Sequence, residues 1–289
     1  MKDKFTLIIQ GPLHKNCIKG INENYFNFVD CIILSFWDTD NLKLLEEIDP
    51  SLINNKKLIL QKNSFHIDPN AFNQDNIYYQ VYTTLKGLKK SNTEYSIKIR
   101  CDQWYENLSP ILECVLQNDN KFVCSNQHFR PDFLYKYHAG DNIIGMKTQD
   151  LLNTFQTCYD RLTKNAFVLL SGAYMYTDNQ ELLTPKLFQK YIQYKRNNLE
   201  FITKHDDKPI LHTVKILRDY GIGIAPEQMI ATSYLISKNI LPIPENSKSI
   251  VKDNFFIFKV EDLGGHLNKH NVNTVLRNDA VEIHDINDY

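Results

Sequence analysis

"YSIKIRCDQWYENL" occupies residues 95–108. Its first half alternates as a strand with an apolar face, Ile97 and Ile99 pointing one way. Side chains two apart on a strand share a face, so Arg100 and Asp102 point together at the strand's carboxyl end. From spacing alone that end reads equally as a ligand-facing edge and as a salt-bridged strand terminus. Its neighbours bear on the choice. "FTLIIQ" (5–10), closed by Gly11-Pro12, and "DCIILSFW" (30–37), closed by "DTDN", are continuous apolar runs, and "KKLILQ" (56–61) and "KFVCSN" (121–126) are two more. Helical signals separate them. "NLKLLEEI" (41–48) can be capped by "DTDN", and "NIYYQVYTTLKGLKKS" (76–91) carries Ile77, Val81, Leu85 and Leu88 at helical spacing. "SPILECVLQ" (109–117) has proline in its first turn.

Apolar strands alternating with helices predict an α/β fold, a mostly parallel, Rossmann-like sheet flanked by helices. Ligands of such sheets bind outside the carboxyl ends of the strands. Here those ends are Gln10-Gly11, Ser35-Phe36-Trp37, Gln61-Lys62 and Arg100-Cys101-Asp102. After residue 135 the pattern changes to a loop and short strand in "YKYHAGDNIIGMKTQDLL" (135–152), then a largely helical C-terminal elaboration. Helices are expected over 183–199, 208–221 and "APEQMIATSYLISKN" (225–239), and a late strand in "SIVKDNFFIFKV" (249–260). "EDLGGHLNKH" (261–270) reads as a turn bearing His266 and His270, and a polar tail follows from 271. With no repeat, low-complexity tract or linker, the expectation is a single domain over 1–289, with halves at 1–135 and 136–270 and the tail at 271–289.

The composition is that of an ordinary globular chain, 43% hydrophobic and 23% charged over 289 residues. A net charge of −1 offers no global field for nucleic acid or anionic lipid, so an anionic ligand needs local groups. Six scattered cysteines, with no C-x-x-C pair, argue against a structural zinc and fit a reducing, cytoplasmic compartment. "MKDKFTLIIQGP" is too short in apolar residues for a signal segment, and no run approaches the roughly 20 residues of a membrane helix. Peripheral contact with a membrane surface stays open.

Each candidate site residue has a plain structural reading beside its functional one. Asp102 could anchor a divalent metal through its oxygens, with Arg100 gripping phosphate, or it could cap the next turn and pair with Arg100. Asn76 and Gln80 share a helix face distinct from the apolar stripe, suited to an anionic ligand or to ordinary capping. The turn Gln10-Gly11-Pro12 places backbone at the ligand edge, without the G-K-[ST] of a P-loop. His138 and Asp141 in "HAGDN" approach a short strand, where Asp141 could bind sugar hydroxyls or close an Asx-turn. Glu227, opening a helix after "GIGIAP", could serve as general base or simply suit the helix dipole. His266 could join a metal site. Trp37, Tyr78, Tyr79, Trp104 and Tyr105 fall near the strand ends, where aromatic rings stack on bases and sugars.

Taken in order, "LIIQGPL", "IILSFWDTD", "NIYYQVYTTLKGLKK", "YSIKIRCD", "HAGDNIIGMKTQDL" and "PEQMIATSYL" resemble the WavE-type lipopolysaccharide-synthesis proteins, a glycosyltransferase family. The resemblance runs from about residue 6 to about residue 240. Each motif is short, and the ordered set carries the specificity. Two departures stand out: Tyr79 occupies the place of the family's arginine before glutamine, and Cys101 that of its threonine between arginine and aspartate. The resemblance implies a GT-A-like fold and transfer of a sugar from a nucleotide-sugar donor, UDP- or GDP-linked, to a hydroxyl of a glycan or glycolipid acceptor in surface-polysaccharide synthesis. It implies donor contacts from Gln10, Gly11, Pro12, Ser35, Trp37, Asn76, Gln80 and Arg100, and catalytic roles for Asp102, Asp141 and Glu227. It implies also a divalent metal, Mn2+ or Mg2+, on Asp102 with His266, although the D-x-D element of such folds keeps only its second aspartate here. The alternatives are a sugar nucleotidyltransferase, for which "QGPLHKNCIKG" is a poor glycine-rich loop, and a non-catalytic glycan-binding protein on the same fold.

Overall fold

The apolar runs do become strands, and all but the edge strand from "KKLILQ" are covered on both faces. A computed structural model describes residues 1–53, 56–66, 76–127, 129, 137–163, 226–240 and 246–267, the side chains at 76 and 265–267 aside. In chain order its first elements are β1 (Phe5–Gln10), α1 (Lys15–Glu23), β2 (Cys31–Trp37), α2 (Pro50–Ile53), β3 (Leu58–Asn63), α3 (Asn76–Leu88) and β4 (Tyr95–Arg100). They are followed by β5 (Gln103–Tyr105), α4 (Ser109–Gln117), β6 (Phe122–Ser125), β7 (Ile144–Lys147) and α5 (Thr148–Thr163). The last are α6 (Pro226–Ser237), α7 (Ser247–Asn254), β8 (Phe255–Phe258) and β9 (Gly265–Leu267).

Seven strands form a sheet in the order β3-β2-β1-β4-β7-β6-β8. The pairs β1–β2, β2–β3, β1–β4 and β6–β8 are parallel, while β7 runs antiparallel to both β4 and β6. The molecule is therefore mixed α/β with a mostly parallel sheet flanked by helices, as the alternating pattern predicts. All six residues of β1 are buried, which is why it reads as an unbroken apolar run. On one face Leu7, Ile9, Leu34, Ile97 and Ile99 pack beneath α1 and α4; on the other Ile8 and Ile33 meet Val81 of α3, Phe155 of α5 and Met229 of α6. Each such side chain contributes roughly 1.5–3 kcal/mol by leaving water.

β4 is central, with β1 on one side and β7 on the other. Its register sets Ser96, Lys98 and Arg100 opposite Thr6, Ile8 and Gln10. That face is covered, and Lys98 sits at 0% exposure within it. The α5–α6 contact contains a second buried cation. Arg161 Nη1 donates to the Met229 carbonyl at 3.2 Å, to Thr232 Oγ1 at 2.8 Å and to Ser233 Oγ at 2.9 Å. Burial lowers its pKa to about 10.

Two local expectations change. "DTDN" does not cap the next helix. Residues Leu42–Glu47 form a 3-10 turn without a side-chain cap, and Asp40 turns back to accept the amides of Leu13 (3.1 Å) and Trp37 (2.9 Å). "SIVKDNFFIFKV" is strand only from Phe255; its first part belongs to α7, whose buried Ser247 and Val251 lie four apart, a helical repeat. The turn at Gly264 leads into β9, which pairs antiparallel with β5 as a two-stranded ribbon beside the main sheet. The helices expected over 183–199 and 208–221 and the tail from 271 lie outside the described residues.

Candidate active site

The carboxyl ends of β1, β2 and β4 open on a cleft of about 380 Å³, where the parallel topology places a ligand. Gln10 forms part of its lining, its Oε1 accepting from Thr83 Oγ1 of α3 at 3.0 Å. Gly11 follows at φ +113°, a conformation that favours glycine, and its amide donates to the Ser35 carbonyl at 3.2 Å. With the Leu13 amide on Asp40, two amides of the turn are thus used within the protein. Two thiols fix its carbonyls: Cys101 Sγ donates to Gly11 at 3.3 Å and Cys17 Sγ to His14 at 2.8 Å. Burial raises the Cys101 pKa well above the ordinary thiol value, keeping the S–H donor neutral. Pro12 and His14 continue the lining.

An aromatic wall closes one side. Trp37, at the end of β2, stands edge-on to Phe65 (5.5 Å) and Tyr79 (5.6 Å), and Phe65 stacks on Tyr79 at 5.1 Å. All three line the cleft, and Phe65 keeps 43% of its surface exposed. Flat apolar rings beside polar strand ends are suited to stacking on a base or sugar. Tyr78 and Tyr82 extend the cluster behind them. Trp104 lies apart, with Lys19 Nζ 3.7 Å above its ring.

Beyond the wall, three distant segments converge on Lys98. Its ammonium donates to the main-chain carbonyl of Asp141, and the Asp141 carboxylate accepts from Gln80 Nε2 at 2.7 Å. Gln80 lines the cleft, so Asp141 stands one residue behind its surface. Burial lowers the Lys98 pKa to about 8 from 10.5, against the pull of Asp141, Asp102 and Glu227 and with the repulsion of Arg100. Glu227, in the first turn of α6, lies 3.7 Å from His138 Nε2. The "HAGD" loop fits only with glycine at 140: a Cβ there would come within 2.5 Å of the Gln127 carbonyl and 2.7 Å of that of Ser125.

Arg100 and Asp102 leave β4 on one face, as their spacing predicts, and meet in a bidentate pair. Arg100 Nε donates to Oδ1 at 2.9 Å and Nη2 to Oδ2 at 2.7 Å. Burial disfavours the guanidinium charge and the Asp102 carboxylate outweighs it, so the Arg100 pKa is raised. Both residues line the cleft, as does Asp40, whose burial raises its own carboxyl pKa.

The sequence-selected residues thus divide. Gln10, Gly11, Pro12, Trp37, Gln80, Arg100 and Asp102 surround one cleft. Ser35 does not line it; its hydroxyl donates to the Thr83 carbonyl (2.7 Å) and accepts from Asn63 Nδ2 (3.0 Å). Asn76 opens α3, its side chain outside the described atoms. His266 is opposite Trp104 in the β5–β9 register, its side chain also outside them. Sequence reasoning missed Lys98, Asp40, Phe65 and His14. A lysine between Ile97 and Ile99 in a strand flanked by buried strands was the available signal for Lys98.

Of the two ligands expected for a divalent ion, Asp102 is engaged by Arg100 and the His266 side chain lies outside the described atoms. Both carboxylate oxygens already accept from Arg100, and among the described residues no three His, Cys, Asp or Glu side chains converge.

No protein-family model matches the chain, and no curated sequence matches it. Among solved structures it resembles a 4-diphosphocytidyl-2C-methyl-D-erythritol synthase from Anaerococcus prevotii at 10% identity, over 54% of this chain and 76% of that one, with a TM-score of 0.35. It resembles HddC from Yersinia pseudotuberculosis at 12% identity, over 53% and 79% of the respective chains, TM-score 0.33. Residues 1–349 of S. aureus TarS match at 11% identity, over 51% and 48%, TM-score 0.33. Likeness at this level carries no functional argument. Among the described residues no helix is long and apolar enough to cross a membrane.

Proposed function

We propose that the protein is a glycosyltransferase of the WavE type, transferring a sugar from a nucleotide-sugar donor to a hydroxyl of a glycan or glycolipid. The observation that supports it is the pairing, in one cleft at the strand ends, of an aromatic wall with a fixed guanidinium. Trp37, Phe65 and Tyr79 offer planes for a base or sugar, and Arg100 offers charge-assisted donors for the diphosphate. Stabilising that leaving group as its bond to the sugar breaks is the electrostatic work of the reaction. Asp141, behind Gln80, orients the amide that faces the donor. Glu227, paired with His138, is the general base for an acceptor hydroxyl if configuration is inverted. The UDP or GDP linkage and the surface-polysaccharide acceptor rest on the ordered motifs.

The loop after β1 disfavours the nucleotidyltransferase reading. It carries no glycine-rich run, and the amides of Gly11 and Leu13 are already bonded within the protein. The test is to incubate the protein with UDP-sugars or GDP-sugars and a glycan acceptor and follow released nucleoside diphosphate. Release of nucleoside diphosphate with sugar appearing on the acceptor is expected. Pyrophosphate release from a nucleoside triphosphate and a sugar phosphate would replace this reading with the nucleotidyltransferase one.

A further inference from the structure

Where the fold would place a metal ligand, the chain places a carboxylate already occupied by an arginine. A guanidinium carries five N–H donors arranged in two forks. Asp102 takes the side fork, Nε and one Nη2 proton, through both its oxygens. The end fork, Nη1 with the second Nη2 proton, has no hydrogen-bond partner among the described residues, and Arg100 lines the cleft. β4 fixes Arg100, and the turn after it fixes Asp102, since Cys101 between them is buried and bonded to Gly11. His14 lines the same cleft and accepts the Asn16 amide on Nδ1 at 3.1 Å, which leaves the proton of its neutral ring on Nε2 as a further donor.

We infer that Arg100 binds the donor diphosphate through this end fork, that Asp102 is the positioning residue holding the guanidinium, and that nucleoside diphosphate binds without a divalent cation. The inference rests on the glycosyltransferase reading and deepens it. A planar fork matches two phosphate oxygens, and a carboxylate behind it fixes its direction before the ligand arrives, so little reorganisation remains. A cation placed on Asp102 would share oxygens that each already accept one charge-assisted bond, and its charge would repel the guanidinium those bonds orient.

The test is calorimetric titration of the full chain with UDP, GDP and CDP, in excess EDTA and again with saturating Mg2+ or Mn2+. The best-bound nucleotide is expected to show the same Kd in both conditions. Arg100→Lys keeps the charge but loses the fork, and should weaken binding about tenfold or more. Asp102→Asn keeps one acceptor, and should weaken it by a smaller factor without creating a cation dependence. Binding that appears only with the cation would overturn the inference while leaving the glycosyltransferase reading standing, and so would cation-free binding indifferent to Arg100→Lys. Failure of every nucleotide in both conditions would overturn both. Should the variants not fold, the comparison of EDTA with metal on the unmodified chain still decides.

Discussion

Replacing Lys98 by methionine should make the protein less dependent on pH, and the size of the effect follows from burial. Lys98 has no exposed surface, and its pKa falls from 10.5 to about 8. At about 1.4 kcal/mol per unit, holding the charged form in the folded state costs about 3 kcal/mol. The unfolded chain keeps the Lys98 proton between about pH 8 and pH 10.5 while the folded chain releases it, so stability rises with pH across that window. Below it the cost is fully present. Methionine fills a similar volume without charge and forfeits the bond to the Asp141 carbonyl, a charge-assisted bond of about 1.5–3 kcal/mol. Near neutrality the two effects offset, and Lys98→Met should lie within about 2 kcal/mol of the wild type. Urea denaturation at closely spaced pH values checks this. The wild-type stability minus that of the variant should climb by about 3 kcal/mol through the window, other titrating groups cancelling in the difference. A flat difference curve would refute the reasoning.

Three further outcomes follow from contacts described above. Gly140→Ala drives a Cβ against two carbonyls of the chain before β7, and should lower stability by about 1–3 kcal/mol, read as a lower melting temperature. Phe65→Ala removes a ring that is 43% exposed at the cleft wall; it should shift stability by less than about 1 kcal/mol yet weaken nucleotide binding several-fold, measured by calorimetry. Arg161→Met removes the cation that joins α5 to α6, and amide exchange at Met229–Leu235 should accelerate relative to β1, which stays protected.

Sequence patterning was most informative where one periodicity served one environment. The runs at 5–10 and 31–37 are strands covered on both faces, the run at 58–63 is a partly exposed edge strand, and their order in the chain already implied parallel pairing. Arg100 and Asp102 were legible as same-face neighbours from a spacing of two, although β4 ends at Arg100 and Asp102 lies in the turn after it. That they would engage each other depended on side-chain geometry that spacing leaves open. Lys98 was hidden because an Ile-Lys-Ile pattern resembles a half-exposed strand, whereas here the lysine is fully buried. Asp40 was misassigned by local logic. A carboxylate ahead of an apolar segment looks like a helix cap, but two amides from the ends of β1 and β2 reach it first. Asp141 and Glu227 were named singly; their shared neighbourhood with Lys98 comes from long-range packing.

The β5–β9 ribbon has a consequence for how the molecule is made. Gln103, next to Asp102, is paired with Leu267, more than half the chain length away, whereas β1, β2, β3 and β4 all lie within the first hundred residues. A growing chain can assemble those four strands as soon as they emerge, but the segment that leaves the cleft at Asp102 must wait for its partner until residues 265–267 have been made. Closing so long a loop is slow, because its entropy is lost before the contact forms. Folding therefore has a natural order, the strands β3-β2-β1-β4 first and the rim beside Asp102 last, and a ribosome-bound intermediate would carry those four strands with an unfinished edge.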